Sequence, residues 1–462
     1  MKRIAAVLAA VLPLAVASDR AYAWEAETTQ AGLAEQAALS SRLHKRLVTL
    51  GFEGGLFEQL TVPPADAPTL IQTLKLLSPS HGSVPDARGR QTALAWIAAG
   101  AAIADVPAKL GANHFYDPAT KRGWERPDRG VFAGLSNRVR EAVGRAKLPE
   151  RGVPAVDWVT AKDNPFSLAG FLDQYSKAIT GATPGERSRA MAGALVAAGA
   201  LIHVLGDLGA PSRVRGDEAA HFEPLGAGPD DLGSRFERVA ALAYGRLGVP
   251  APSRVITRQH LRDFFTSADG TGLADQISRS YFSANTLPGA TRVGNETKPQ
   301  LARPQPALPT RLNLMAASRE DGTTLRGADG TCLARYRVEH GVLSFHLDDE
   351  CMLEQVGVIL PQVAAYETGM LDFLLRGELT IGVGPQLTIS GKGLGAGTVE
   401  VLVEDELGVR KNIGTVKTNG GTEQLATIAS PSTGVRVVAM FKGTDAAGEP
   451  IVAVGAMPLG SH

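Results

Sequence analysis

Up to residue 376 the apolar positions recur with the spacing of helices rather than strands. Leu33, Ala37, Leu43 and Leu47 fall broadly on one side of a helix at 24–50, after a Thr-rich start. Residues 66–80 and 90–104 give two more helical runs, and 165–180 and 186–208 give two stronger ones. The second of these is Ala/Leu-rich and apolar almost all round, the pattern of a helix buried at the centre of a fold. Residues 231–247 and 258–268 continue the series, and 351–376 closes it with Leu353, Val356, Leu360, Val363 and Leu371. Two stretches lack the period. Residues 105–130 are rich in Pro, Gly and Asp, and 285–330 hold several prolines and end in the turn signals Asp321-Gly322 and Asp329-Gly330. After Arg376-Gly377 the texture changes to short β-branched runs between Gly and Asp, among them LTIGVGPQLTIS, TVEVLVED and IVAVGAM. The pattern predicts a mainly α protein: an all-helical domain at 24–377 and a small antiparallel β-sandwich at 378–462.

Composition adds a compartment. Lys2 and Arg3 precede an apolar run at 4–17 and the small-x-small site Ala21-Tyr22-Ala23, which together read as a signal peptide over 1–23. The expected mature chain starts at Trp24 and is secreted or periplasmic. The two cysteines, Cys332 and Cys351, have no close CxxC-type partner, and an even pair in an oxidising compartment is expected to form a disulfide. Lys+Arg and Asp+Glu are both 47, so the net charge is zero and no basic excess points to nucleic acid.

Possible ligands gather in three places: Asp105 with NHFYDP at 113–118, HVLGD with His203 and Asp207, and GSRFE at 233–237 with Glu237. Side chains four apart share a helix face, so His203 and Asp207 can touch one ion. Taken alone, the pair also suits a hydrogen-bonded core histidine, and HFYDP suits a turn with an aromatic anchor. What favours a ligand is that an apolar helix has little reason to bury both groups unless they are paired or bound to something.

These stretches resemble the zinc-dependent phospholipase C/alpha-toxin superfamily, related to the single-strand-specific zinc nucleases. The resemblance covers scattered motifs over roughly residues 24–245, with the β-tail as a similar accessory. It implies secreted helical proteins with up to three Zn2+ ions. By it, the terminal amine and carbonyl of Trp24, together with Asp105, His114, His203, Asp207 and Glu237, are metal ligands. Asp105 is also implied as a candidate general base. Three histidines expected from the resemblance are replaced, by Gln30, Arg213 and Gly233, leaving one complete set in Asp105, His114, His203 and Asp207. Arg213 can stand in for a missing cation beside Glu237, meet a substrate phosphate, or lie in solvent as a loop arginine. Asp217, Glu223 and His221 are further candidates as replacement ligands, His221 first, although the plainer reading of His221 is a solvated loop histidine.

The implied activity is a zinc-dependent phosphoesterase acting on a phospholipid head group or another phosphoester, with Asp105 and Arg213 catalytic. Peripheral membrane contact, no nucleic acid partner and a monomer are expected. The alternative is an inactive secreted surface- or lipid-binding protein that keeps a structural zinc. In the β-tail, Glu404, Asp405, Glu406 and Asp445 are either solvated hairpin tips or calcium ligands.

Overall fold

Thr183 opens the central helix, and the residues around it explain why the helix starts there. A computed structural model describes residues 26–63, 65–77, 89–128, 131–142, 147–221, 234–244, 248–294, 306 and 312–459. In it the Thr183 side chain accepts from the backbone of Glu186, and the Glu186 side chain accepts from the backbone of Thr183 in return. This capping box, with Pro184 at the first helical position, satisfies N–H groups that a helix start otherwise leaves orphaned. The helix, α4, is Pro184–Gly206, and five other helices contribute much of the core around it. The others are α1 (Ala31–Ser40), α2 (Ala93–Ile103), α3 (Leu168–Thr180), α5 (Arg235–Tyr244) and α6 (Asp349–Leu374). By length and hydropathy α4 could cross a membrane, but 94% of its most apolar window is buried inside the protein. Leu201, Ile202 and Leu205 are fully enclosed, each burial being worth about 1.5–3 kcal/mol.

Helices α2 and α4 cross at glycines. A Cβ on Gly100 would lie 2.1 Å from the Val196 carbonyl oxygen, and one on Gly199 would lie 2.1 Å from that of Ile97. Only the missing side chains let the backbones touch, and this contact sets the C-terminal end of α2, with Asp105, against the end of α4, with His203 and Asp207.

The expectation of an all-helical body with one β-tail is corrected. The described residues contain four separate sheets, so the fold is mixed α and β. A two-stranded sheet pairs β1 (Gln59–Thr61) with β2 (Arg90–Thr92), inside a stretch read as helix from residue 90. A four-stranded sheet of order β3-β6-β5-β4 is built from Thr291–Arg292, Thr323–Arg326, Cys332–Glu339 and Val342–His346. The runs CLARYRVE and VLSFH carry the β-branched and aromatic residues of strands, but they are short and lie among Asp-Gly turns. Cys332, which opens β5, is disulfide-bonded to Cys351 in the first turn of α6 and ties this sheet to the helix. Other boundaries also differ. Residues 24–50 divide at Ser41 into α1 and a second helix, Leu43–Thr49, and 258–268 are helical only at Arg262–Phe265. Helices at Val131–Ala142 and Leu273–Ser280 had no counterpart in the sequence reading.

Beyond α6 the chain forms two antiparallel sheets, β10-β9-β12-β13 and β11-β8-β7. In chain order the strands are β7 (Leu379–Gly382), β8 (Gln386–Gly391), β9 (Leu394–Glu404), β10 (Arg410–Thr418), β11 (Gln424–Ala429), β12 (Arg436–Asp445) and β13 (Pro450–Pro458). Alternation decides which core each side chain joins. Val437, Ala439 and Phe441 of β12 pack between the two sheets. Val438 and Met440 face the other way and join the helical core, as do Val452 and Val454 of β13. Arg410 fastens the same face, donating from one nitrogen to the Ile179 carbonyl at 2.6 Å and from another to that of Leu50 at 3.2 Å. Asp445 pairs with Arg376 at 2.9 Å and Glu404 with Arg410 at 2.6 Å, so these two carboxylates serve ion pairs.

Candidate metal centre

His203 lies in the last turn of α4 and Asp207 caps its end. His114 follows a 3-10 turn at Ala108–Asn113, and Asp105 lies two residues past α2. Backbone pairing ties the loops together, because Tyr116 N–H donates to the Arg213 carbonyl at 3.0 Å.

The folded chain thus brings four sequence-predicted residues to one buried place. His114, His203 and Asp207 hold their donor atoms within 4.8 Å of one another. His114 Nδ1 lies 2.8 Å from Asp207 Oδ2, and His203 Nε2 lies 3.2 Å from the same oxygen without hydrogen-bond geometry. The two imidazole rings meet edge to face at 5.1 Å. Asp105 is equally enclosed and interacts electrostatically with both histidines and with Asp207.

These groups fit a cation. Buried polar atoms are normally paired, yet both Asp105 oxygens, His114 Nε2 and both His203 ring nitrogens make no hydrogen bond. Imidazole with carboxylate is a donor set that zinc accepts. The pKa directions divide: those of Asp207 and His114 favour the unprotonated form a metal needs, and those of His203 and Asp105 favour a proton that an ion would displace. Burial opposes charge on Asp207, but Arg213 and His203 outweigh it and hold its pKa well below the ordinary value. Burial lowers the His114 pKa, against the pull of Asp207. On His203 burial is outweighed by Asp207, and its pKa is raised. Burial raises that of Asp105.

The replaced positions have clear local roles. Gln30, where the resemblance expects a histidine, donates from Nε2 to Asp207 Oδ1 at 2.6 Å. Arg213 is fully buried rather than a solvated loop residue. Its Nε donates to Glu237 Oε1 at 2.9 Å, its NH1 lies 3.4 Å from Asp207 Oδ2, and its guanidinium sits 4.8 Å from the centre of the Phe115 ring. A fixed positive charge therefore stands between the two carboxylates. Glu237 belongs to this ion pair and to His221, and is not one of the three grouped donors. Asp217 accepts from Asn285 at 2.8 Å and 3.0 Å. Trp24, Glu223 and Gly233 lie outside the described residues, as does the segment 1–23.

Sequence reasoning missed Glu367. This carboxyl on α6 is wholly buried, and neither oxygen has a hydrogen-bond partner. Burial and then Asp207 hold its pKa well above the ordinary value. Its oxygen lies where a Cβ on Gly206 would come within 2.2 Å, so the glycine makes room for it. The signal was present, since Val363, Glu367 and Leu371 share one helix face, and a carboxyl in an apolar stripe needs a reason. Ser212 carries no local signal, because its contact with His221 exists only in the folded chain.

No protein-family model matches this sequence, and no curated protein does. Among solved structures, alpha toxin from Clostridium absonum aligns over 94% of this chain and 95% of its own, at 12% identity and a TM-score of 0.28. A likeness of that size carries no argument on fold or activity.

Proposed function

We propose that the chain is a secreted protein built around one divalent metal ion, zinc by donor chemistry, held by His114, His203 and Asp207 with Asp105 beside them. The observation that supports this is the set of imidazole nitrogens and carboxylate oxygens enclosed in an apolar core without a hydrogen bond. The four side chains are between 0% and 1% exposed, which favours an ion that holds the helix ends together over one that turns over substrate. Arg213 then substitutes for further cations by neutralising Glu237 and Asp207. Metal analysis of the processed protein tests the reading. We expect about one zinc per chain, its loss in His203→Ala, and a lower unfolding temperature on chelation. A protein that binds no zinc after reconstitution, with unfolding indifferent to chelator, overturns it.

A second reading, a phosphoesterase, is favoured by one specific feature. Three protein donors leave a position of the kind that catalytic zinc keeps open, and Asp105 adjoins it with both oxygens uncommitted. A bound cation would supply Lewis acidity toward a phosphoryl oxygen. In this reading Asp105 orients and deprotonates a water, while Arg213 acts through Asp207, since its guanidinium is committed to the buried carboxylates. Bis-p-nitrophenyl phosphate and a phosphorylcholine ester are the probes. Hydrolysis that is lost in Asp105→Asn while zinc is retained supports it. Fully metallated protein without hydrolysis removes it and leaves the structural role.

A further inference from the structure

Arg213 links the metal centre to a second polar cluster that neither reading uses. Ser212 Oγ lies 2.8 Å from His221 Nε2. The opposite ring nitrogen, Nδ1, lies 3.4 Å from Glu237 Oε2. The carboxylate is itself fixed, because Oε1 accepts from Arg213 Nε at 2.9 Å and Oε2 accepts from the Ser234 backbone. The imidazole is held edge-on to Phe115, with ring centres 5.0 Å apart and planes at 85°. All three residues are buried, Ser212 at 3%, His221 at 4% and Glu237 at 1% exposure.

Nδ1 makes no hydrogen bond, and its 3.4 Å charge contact with Glu237 favours the proton on that side of the ring. A ring nitrogen facing a carboxylate carries the proton, which leaves the other nitrogen as an acceptor. Here that acceptor is Nε2, and it faces a hydroxyl. Hydroxyl, imidazole and carboxylate in this sequence activate a serine, and such sets are recognised by geometry and not by chain order.

Ser212 also forms part of the wall of a cavity of about 140 Å³, with Phe236, Phe282, Leu347 and Met352 supplying apolar surface. A space of that size and lining suits a short acyl chain better than a charged head group.

We infer that Ser212, His221 and Glu237 form an esterase-type site in which Ser212 attacks the carbonyl carbon of a short-chain carboxylic ester. The Ser212 Oγ–carbon bond forms as the hydroxyl proton passes to His221 Nε2. The ester C–O bond breaks, and the alcohol departs with that proton. Water, deprotonated by the same nitrogen, then cleaves the acyl-serine, releases the acid and restores the hydroxyl. Ester and water become acid and alcohol. Glu237 is the charge partner on the far side of the ring. None of the three grouped metal donors takes part, so this activity is separable from the metal centre.

The test uses the full processed chain, with zinc and with chelator, a fluorophosphonate probe and p-nitrophenyl butyrate. Peptide mass spectrometry of the labelled wild-type protein is expected to place the adduct on Ser212. Ser212→Ala removes labelling and the ester turnover, and His221→Asn slows both by ~100-fold, the usual worth of a general base. Wild-type protein labelled elsewhere, or on Ser212 no faster than on exposed serines, overturns the inference, and this measurement needs no variant to fold. Equal labelling rates in wild type and a folded His221→Asn protein also overturn it, since the hydrogen bond would then be structural only.

Discussion

Replacing Arg213 with methionine is the sharpest probe of the buried charge arrangement. The side chain is 0% exposed and its Glu237 partner 1%. Methionine keeps much of the apolar volume against Phe115 and removes the charge, so the Glu237 carboxylate is left in the core with the Ser234 backbone N–H and a neutral His221. Removing one partner of a buried pair leaves an uncompensated charge and costs about 3–5 kcal/mol. Replacing both partners removes the charge that caused the penalty. Asp207 also loses Arg213, but it keeps Gln30, His114 and His203 as neighbours. The Arg213→Met/Glu237→Leu double variant is therefore expected to recover at least ~2 kcal/mol relative to the sum of the single changes. Urea unfolding followed by circular dichroism measures all four proteins, in chelator so that metal binding does not contribute. Two results refute the reasoning. One is an Arg213→Met cost under about 1 kcal/mol, the size expected of a solvent-exposed pair. The other is additivity of the single changes to within ~0.5 kcal/mol, which would mean that the two residues do not share one electrostatic account.

Three further outcomes follow from other parts of the fold. Glu367 has a folded pKa raised above the ordinary 4.5, so the stability tied to its neutral form is full below that value and is lost as pH rises through the raised one. Glu367→Gln should then flatten the alkaline limb of a melting-temperature profile, and an unchanged limb counts against the assignment. Gly199→Val drives a side chain into the Ile97 carbonyl 2.1 Å from the Cβ position and should cost about 3 kcal/mol in unfolding free energy, the upper part of the usual overpacking range. Removing the Cys332–Cys351 bridge, whose residues are 19 apart, should cost about 3 kcal/mol by loop entropy, read as a lower denaturation midpoint of the double serine variant.

The helical core was legible because its signals are local. The capping box at Thr183, the apolar run of α4 and the i, i+4 placement of His203 and Asp207 each need only a few neighbouring residues. The change of period after Arg376-Gly377 is equally local, and helix gives way to strand between Leu374 and Leu379. The β3–β6 sheet was not legible, since short strands among Asp-Gly turns carry no period strong enough to outweigh a helical context. The chain names four candidate ligands, but only the Gly100 and Gly199 crossing sets Asp105 against His203. It shows an arginine where a ligand is expected, but only packing encloses that arginine with Glu237 and Asp207, where a charge must be neutralised because water is excluded. It places Ser212, His221 and Glu237 in separate segments, and the 2.8 Å and 3.4 Å separations that join them exist only once those segments pack. Sequence by itself determined which chemistry the chain carries and on which elements. Tertiary structure decided which groups meet, because charge, burial and distance are properties of residues brought together from far apart in the chain.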